Sequence, residues 1–190
     1  MKITKTQLDG VVIIEPEIFA DARGYFMESY SQKRFDEEVR PICFVQDNES
    51  RSHYGVVRGL HFQRGAQAQS KLVRVTEGCV WDIVVDIRRG SPTFGHYIGV
   101  ELSAENHRQL FIPRGFAHGF AVLSKQATLH YKCDRFYAPE AGQGIAWNDP
   151  EIGIDWRIPP EEVILSEQDT KHKPLREVED LFDYQIGYYA

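Results

Sequence analysis

The sequence predicts an all-β fold, either a sandwich or a barrel assembled from many short strands. Short segments rich in Val, Ile, Phe and Tyr recur along the chain, and turn residues separate them, as at Gly78, residues 90–92 and residues 113–115. Long helical patterns do not alternate with these segments, as they would in a parallel α/β sheet. The predicted strands are residues 11–14, 24–30, 56–62, 72–76, 80–87, 97–102, 108–112, 119–123 and 128–136.

A few short helices are predicted to accompany the strands. Residues 31–39 begin with Ser31, a favourable N-cap, show helical spacing, and end before Pro41. A second, weaker helical pattern lies near residues 175–181. Residues 138–174 are rich in Pro, Gly and acidic residues, and we expect them to wrap the sheet as ordered loops.

The composition is that of a folded globular protein. With 42% hydrophobic and 26% charged residues, disorder is excluded, and residues 1–190 are predicted to form a single domain. No apolar run approaches the roughly 20 residues that a membrane helix needs, and no apolar signal core follows the first residues. We therefore expect a cytoplasmic protein with no membrane partner.

Charge and cysteine content narrow the function classes further. The net charge of −6 disfavours binding to nucleic acid or to an anionic membrane. Cys43, Cys79 and Cys133 are widely spaced and form no C-x-x-C pair, so neither a disulfide framework nor a zinc knuckle is indicated. We expect reduced thiols in the core, and a nucleophilic cysteine remains an alternative.

Residues 55–63 and the nearby Lys71 contain the most informative pattern. Arg58 and His61 lie three residues apart in a strand-like segment, so they share a face only if the strand bulges between them. Gly59 makes such a bulge plausible. The face would then place an anion-binding guanidinium beside a titratable base. The alternative is an ordinary solvated strand face with a structural histidine.

Further polar side chains stand beside apolar segments at Arg23, Gln46, Asp47, Asn48, His118, Tyr131, Tyr137 and Asp169. The amides of Gln46 and Asn48 can read the edge of a nucleotide base through paired donors and acceptors. His118 follows a Pro–Gly turn. Tyr131 and Tyr137 lie on one predicted strand, an even number of residues apart, and would share a face.

An ordered set of motifs spans nearly the whole chain. The motifs are Asp21-x-Arg23-Gly24-x-Phe26-x-Glu28, residues 55–63, Ser91-Pro92-Thr93-x-Gly95, residues 112–120, Trp147-Asn148-Asp149-Pro150 and residues 165–169. In this order they resemble the dTDP-4-dehydrorhamnose 3,5-epimerase family. The resemblance implies a cupin-type jelly roll, a homodimer in which the N-terminal segment of one chain reaches the partner's site, and epimerisation of a dTDP-keto-sugar without a cofactor.

A catalytic metal is not expected, although many cupins hold one. Metal cupins use an H-x-H pair in their first motif, whereas this chain has His61-Phe62-Gln63 there. The second-motif pattern survives as residues 113–118, which end in His118. Two scattered imidazoles and an amide are a poor ligand set for zinc or iron.

Epimerisation beside a ketone requires a base, a proton donor on the opposite face, and positive charge at the enolate oxygen. His61 suits the first function, Tyr131 the second and Lys71 the third. The resemblance implies that Asp169 fixes the tautomer of His61 and stabilises its imidazolium.

Substrate binding is predicted from charge and from the resemblance. Arg58 and Arg23 can hold a diphosphate through charge-assisted contacts. The resemblance places Arg23, Phe26 and Glu28 in the partner's site, Gln46 and Asn48 at the nucleotide, Tyr137 near the thymine or sugar, and His118 near the substrate. Asp47 is also expected among the substrate-binding residues. The remaining histidines are expected to be structural or exposed, namely His53, His96, His107, His130 and His172.

Two departures from the family pattern bear on specificity. Gly142 stands where the family often has a glutamate, and Gln168 stands where it often has a basic residue. The reaction type is unaffected, but the identity of the sugar, the base and the reacting carbons is left open. The alternatives are an epimerase acting at C3 or C5 alone, a 3,4-ketoisomerase-like cupin, and a non-catalytic nucleotide-sugar-binding module.

Overall fold

The computed structural model describes residues 1–189 and shows a mainly β structure with one α-helix. Its strands are β1 (Lys2–Lys5), β2 (Val12–Glu15), β3 (Phe19–Asp21), β4 (Gly24–Phe26), β5 (Gln46–His53), β6 (Val57–Gln63), β7 (Lys71–Glu77), β8 (Cys79–Asp86), β9 (Arg88–Arg89), β10 (Tyr97–Ser103), β11 (Gln109–Ile112), β12 (Phe116–Val122), β13 (Gln126–Cys133), β14 (Gly142–Gly144) and β15 (Phe182–Asp183).

Two antiparallel sheets face each other. One has the order β1-β2-β11-β7-β13-β5 and the other the order β10-β8-β12-β6-β14. Their inner faces share one apolar core, in which Val73 and Leu129 of the first sheet meet Val84 and Phe120 of the second. This is the layered arrangement of a jelly roll, and the predicted all-β, cupin-type jelly roll is confirmed.

The outer face of the five-stranded sheet is covered by the chain after β13. Ile152, Trp156, Leu175 and Phe182 pack there against strand residues such as Ile83. Because both faces of this sheet are covered, every residue of β12 is buried. The expectation that residues 138–174 form ordered loops around the sheet agrees with this arrangement.

The helix α1 (Gln32–Glu38) lies where the sequence predicts it, and the hydroxyl of Ser31 accepts a hydrogen bond from the backbone N–H of Arg34. Near residues 175–181 only the 3₁₀ turn Leu175–Glu177 forms. Short 3₁₀ turns also occur at Gly65–Gln67, Pro139–Ala141, Pro160–Glu162 and Asp169–Lys171. No helix in residues 1–189 is long and apolar enough to cross a membrane.

Several strand predictions differ from the structure, and six of its strands were not predicted, the longest being β5. The predicted strand 24–30 ends at Phe26. The predicted strand 128–136 ends at Cys133, so the prediction that Tyr131 and Tyr137 share a strand is wrong. Strand β5 was not predicted, because its sequence QDNESRSH has no apolar residue. Its inward positions hold small or amide side chains instead.

The Ser91-Pro92-Thr93 motif stabilises a buried carboxylate. Asp86, at the end of β8, accepts hydrogen bonds from Arg88 at 2.9 and 2.7 Å, from Ser91 at 2.6 Å and from Thr93 at 2.7 Å. Burial alone would raise the pKa of Asp86, but these hydrogen bonds outweigh it and lower the pKa. The motif therefore serves the fold rather than the cavity.

Replacing Asp86 by Asn is expected to lower the free energy of unfolding by about 3 kcal/mol at neutral pH, since the guanidinium of Arg88 loses its buried partner. The wild-type advantage is present above the unfolded carboxyl pKa and is lost as the pH falls through the lowered folded pKa. Urea denaturation at neutral and acidic pH measures both effects. Glu151→Gln, which breaks an exposed ion pair, is the control and should change stability by less than about 0.5 kcal/mol. An equal loss in both variants would contradict the expectation.

Candidate active site

A cavity of about 420 Å³ opens between the two sheets. Its ionisable side chains come from β6, β7, β12, β13 and the turn Asp169–Lys171, and are Arg58, His61, Lys71, His118, Tyr131 and Asp169. Ser50, Ser166 and Gln168 add further polar groups to the lining. Apolar walls are provided by Val57, Phe120 and Leu129. A concave apolar site with a few convergent polar groups is typical of a small-molecule site.

A bulge in β6 places Arg58 and His61 on the same cavity. His61 pairs with His118, whereas Arg58 pairs with Phe120, so β6 has one residue more than β12 across this interval. At Gly59 the backbone has φ of +132°, and a Cβ atom would lie 2.5 Å from the Cα of Gly119. Only glycine fits there, and the predicted bulge is confirmed.

His61 is bonded to the buried carboxylate of Asp169, with 2.5 Å between Nε2 and Oδ1. The side chain of His61 is 43% exposed and that of Asp169 only 4%, so the base is open to the cavity and its partner is largely shielded from solvent. Burial pushes the pKa of Asp169 upward, but the hydrogen bonds from His61 and Ser166 outweigh it and lower the pKa. The ionised carboxylate accepts from Nε2–H, which leaves Nδ1 of His61 as the basic nitrogen.

The segment that bears Asp169 is fastened at both ends. Ile164 forms a parallel bridge with Val56 just before β6, and Lys173 forms one with Ile145 just after β14. Between these bridges the 3₁₀ turn Asp169–Lys171 contacts β6. The His61–Asp169 pair is thereby held by main-chain contacts on either side.

Tyr131 and Lys71 project into the cavity from neighbouring strands β13 and β7. The Lys71 ammonium lies 5.7 Å from the centre of the Tyr131 ring. Burial raises the pKa of Tyr131, with Cys133 adding to the shift and Arg58 opposing it, so the phenol stays protonated at neutral pH. Burial lowers the pKa of Lys71, although Cys133 and Asp82 oppose the shift.

His118 has a partner that sequence reasoning missed. Its Nε2 lies 3.0 Å from both carboxylate oxygens of Asp82, a fully buried residue of β8. Burial lowers the pKa of His118, while Asp82 opposes that shift. An aspartate in the apolar run of β8 was the available signal, because a carboxylate there must find a partner.

Strand β5 brings the predicted amides to the inner face of the sheet. Gln46 donates to the side-chain oxygen of Asn48 at 2.8 Å and accepts from the backbone N–H of Tyr137 at 2.9 Å. Asp47 faces the opposite side, where it binds the ammonium of Lys132 at 2.9 Å. The structure therefore groups Gln46, Asn48 and Tyr137, and separates Asp47 from them.

Arg58 and the N-terminal residues differ in their relation to the cavity. Arg58 lines it and donates to the hydroxyl of Ser52 at 3.0 Å. Arg23 and Phe26 belong to the hairpin of β3 and β4, with 90% of the Arg23 side chain and 69% of Phe26 exposed. Glu28 follows this hairpin and is also exposed. None of these three N-terminal residues is among the residues that line the cavity of their own chain.

The cysteines differ in their burial. Cys133 is buried and burial raises its pKa to about 11, so it is unsuited to act as a thiolate nucleophile. Cys43 is exposed, contrary to the expected core position.

His172 is 12% exposed and packs edge-to-face on His61, with 5.6 Å between ring centroids. Gln168 lines the cavity, whereas Gly142 lies on β14 at the edge of the sheet.

Enzymes of one family are similar to this chain in sequence along most of its length. The sequence model of the dTDP-4-dehydrorhamnose 3,5-epimerase family matches residues 5–177. The enzyme of that name from Methanothermobacter thermautotrophicus is 52% identical over 177 residues, which cover 93% of this chain and 95% of the relative. The Salmonella typhimurium enzyme is 55% identical over 157 residues, covering 82% of this chain and 86% of the relative.

Solved structures show the same fold. A 3,5-epimerase from Legionella pneumophila, crystallised with dTDP-4-keto-L-rhamnose, superimposes with a TM-score of 0.93 at 50% identity, and the match covers 97% of this chain and 99% of that one.

In sequence, a dTDP-4-dehydrorhamnose 3-epimerase from Streptomyces niveus is 39% identical over 181 residues, covering 95% of this chain and 86% of the relative. This chain belongs to the dTDP-4-dehydrorhamnose 3,5-epimerase family.

Proposed function

We propose that this chain epimerises C3 and C5 of dTDP-4-keto-6-deoxy-D-glucose to give dTDP-4-keto-L-rhamnose, a step in the synthesis of dTDP-rhamnose, without a cofactor. The observation that supports the proposal most strongly is one cavity lined by the His61–Asp169 pair, the phenol of Tyr131 and the ammonium of Lys71. These groups supply a base, an acid and a positive charge, as enolate chemistry requires.

The proposed mechanism runs through an enolate at each carbon. Nδ1 of His61 takes the proton from the carbon beside the C4 ketone, and the C–H electron pair forms the enolate, whose oxygen is stabilised by Lys71. Tyr131 returns a proton to the opposite face of that carbon. The imidazolium loses its proton to solvent and the phenolate regains one, which readies the site for the second carbon.

The nucleotide is proposed to lie along β5. Arg58, with no acidic partner in residues 1–189, is free to bind the diphosphate, and Gln46 and Asn48 offer amides to the base. Tyr137 is 67% exposed beside Gln46 and is placed to cover the thymine or sugar. His118 is proposed to contact the sugar. Asp47 is left out because its carboxylate faces Lys132 on the other side of the sheet.

The active form is proposed to be a homodimer in which the hairpin of β3 and β4 completes the partner's cavity. The hairpin exposes Phe19, Tyr25 and Phe26 to more than half of their surface, and such apolar exposure favours an interface. Arg23 would then join Arg58 at the diphosphate, and Glu28 would follow the hairpin across. The three free cysteines agree with a cytoplasmic location, where thiols stay reduced.

Complementation between inactive variants tests the shared site. Arg23→Ala and His61→Ala are each expected to lose activity, whereas a mixed dimer contains one site with both residues intact. Activity recovered on mixing supports the exchange, and light scattering measures the mass directly. A single species of about 22 kDa, the mass of one chain, would contradict the shared site.

Proton exchange with solvent tests the reaction. In deuterated water the wild-type chain is expected to incorporate deuterium at both C3 and C5 of the product, which proton NMR counts. Incorporation at one carbon would favour a single-carbon epimerase, as in the Streptomyces niveus relative. No incorporation, with dTDP still bound, would favour a binding module.

Replacing Tyr131 by Phe is expected to separate exchange from inversion. His61 can still remove and return a proton on its own face, so the recovered substrate should gain deuterium with its configuration retained. Product formation should fall by about 100-fold or more because the opposite-face donor is missing. Proton NMR of substrate and product checks both quantities. Undiminished product formation would remove Tyr131 from the proposed acid role.

A further inference from the structure

His172 presents a buried ring nitrogen that lacks a hydrogen bond. Its Nδ1 has no hydrogen-bond partner among residues 1–189 and lies 3.8 Å from Oδ1 of Asp169. Buried polar atoms are nearly always paired, and an ion is one of the partners that account for an exception. The proposed reaction does not use this nitrogen.

Three donor atoms converge around it. One donor atom from each of His61, Asp169 and His172 lies within 4.8 Å of the other two. Zinc binds nitrogen and oxygen ligands at about 2 Å, so two ligands of one ion lie about 3 Å apart. The observed separations of 2.5 and 3.8 Å fall on either side of that value. Small side-chain rotations would therefore admit an ion.

The absence of a side chain at Gly144 makes room for the ring of His172. A Cβ atom at Gly144 would stand 2.1 Å from Cε1 of His172, and Gly144 is paired with His61 across β14 and β6. The ring reaches this position only because residue 144 has no side chain.

We propose that His61, Asp169 and His172 form a binding site for Zn²⁺ or a similar divalent transition-metal ion, and that the bound ion inhibits the enzyme. Two imidazoles and a carboxylate form a donor set that such ions accept, and the exposed side of His61 leaves room for water as a further ligand. This ion differs from a catalytic metal, because it would occupy the base itself.

The ion would inhibit by fixing the wrong tautomer of His61. When Nε2 binds the metal through its lone pair, the proton of the neutral ring resides on Nδ1, and Nδ1 can no longer accept the substrate proton. Asp169 is drawn to the ion at the same time and ceases to orient the ring. The inhibitory effect rests on the proposed base role of His61, whereas ion binding does not.

Zinc titration of wild type and His172→Phe tests the proposal. Phenylalanine keeps an aromatic edge against His61 and removes the nitrogen, and His172→Gln provides a second variant if the first does not fold. His53→Phe, at an exposed histidine on β5, is the matched control. All chains are stripped with a chelator and contain Cys43→Ser, which removes the exposed thiol.

We expect Zn²⁺ to inhibit wild type and His53→Phe reversibly, and to require a concentration about 100-fold higher for the His172 variants. Calorimetry with Zn²⁺ alone should show one strong site in wild type and His53→Phe, and the His172 variants should lack it. Co²⁺ should give a visible absorption spectrum in wild type and His53→Phe and not in the His172 variants. Equal binding in wild type and His172 variants would overturn the proposal, as would no Zn²⁺ binding to wild type. A chelator-stripped wild type without turnover would instead contradict the proposed function, and calorimetry would still decide the metal site.

Discussion

Replacing His61 by Asn is expected to reduce turnover by about 10,000-fold, the upper end of what a positioned general base contributes. Asparagine can still donate to Asp169, so the buried carboxylate keeps a hydrogen-bond donor and the fold is preserved. What is lost is the basic nitrogen that faces the cavity. Deuterium incorporation at C3 and at C5 should disappear together, because one base serves both carbons in the proposed mechanism.

The matched control for this variant is His130→Asn. His130 lies on β13 next to Tyr131, but its side chain contacts Thr76 and Glu49 rather than the cavity. Turnover should be unchanged in the control, and dTDP affinity measured by calorimetry should be unchanged in both variants. Substantial exchange at either carbon in His61→Asn would assign the base to another residue, with His118 as the first candidate.

Replacing Lys71 by Met is expected to lower kcat by about 100- to 1,000-fold with a smaller effect on KM, since the ammonium acts on charge that develops at the enolate oxygen. Methionine preserves the length and apolar stem of the side chain. Steady-state kinetics separates the two constants. Lys132→Met, on the outer face of the adjacent strand, is the control and should retain wild-type kcat.

The pH profile provides a second measurement on Lys71. Burial lowers the pKa of Lys71 and raises that of Tyr131, so the loss of the ammonium charge moves to lower pH and the loss of the phenol proton moves to higher pH. The alkaline fall in wild-type kcat should begin below the ordinary lysine pKa of about 10.4 and should be absent from the residual activity of Lys71→Met. An alkaline limb that persists in the variant would assign the fall to another group.

Much of the fold and site follows from local sequence pattern. Alternating apolar residues predict most strands, and Gly59 between Arg58 and His61 predicts the bulge that joins them. Strand β5 escaped prediction because it has polar residues on both faces. The amides of Gln46 and Asn48 occupy inward positions that hydrophobic periodicity normally marks with apolar side chains.

The missed contacts depend on chain segments that are distant in sequence. Asp82 meets His118 because β8 and β12 are neighbours in the sheet, and that order is not visible in either strand alone. His172 meets His61 because the chain after β14 returns across the sheet. Such pairings are set by tertiary packing, so propensity and spacing leave them undetermined.

The two main-chain bridges on either side of Asp169 hold its segment in place without help from the substrate, so substrate binding energy is not needed to order it. Ile164 and Lys173 fix this segment before any sugar arrives, so the imidazole is oriented in the free enzyme. A catalyst whose dipoles are already aimed needs no reorganisation at the transition state. The binding energy of the nucleotide can then be used to position the keto-sugar against His61. For a substrate that lacks part of the nucleotide, the orientation of His61 would be unchanged, and only the positioning of the sugar would suffer.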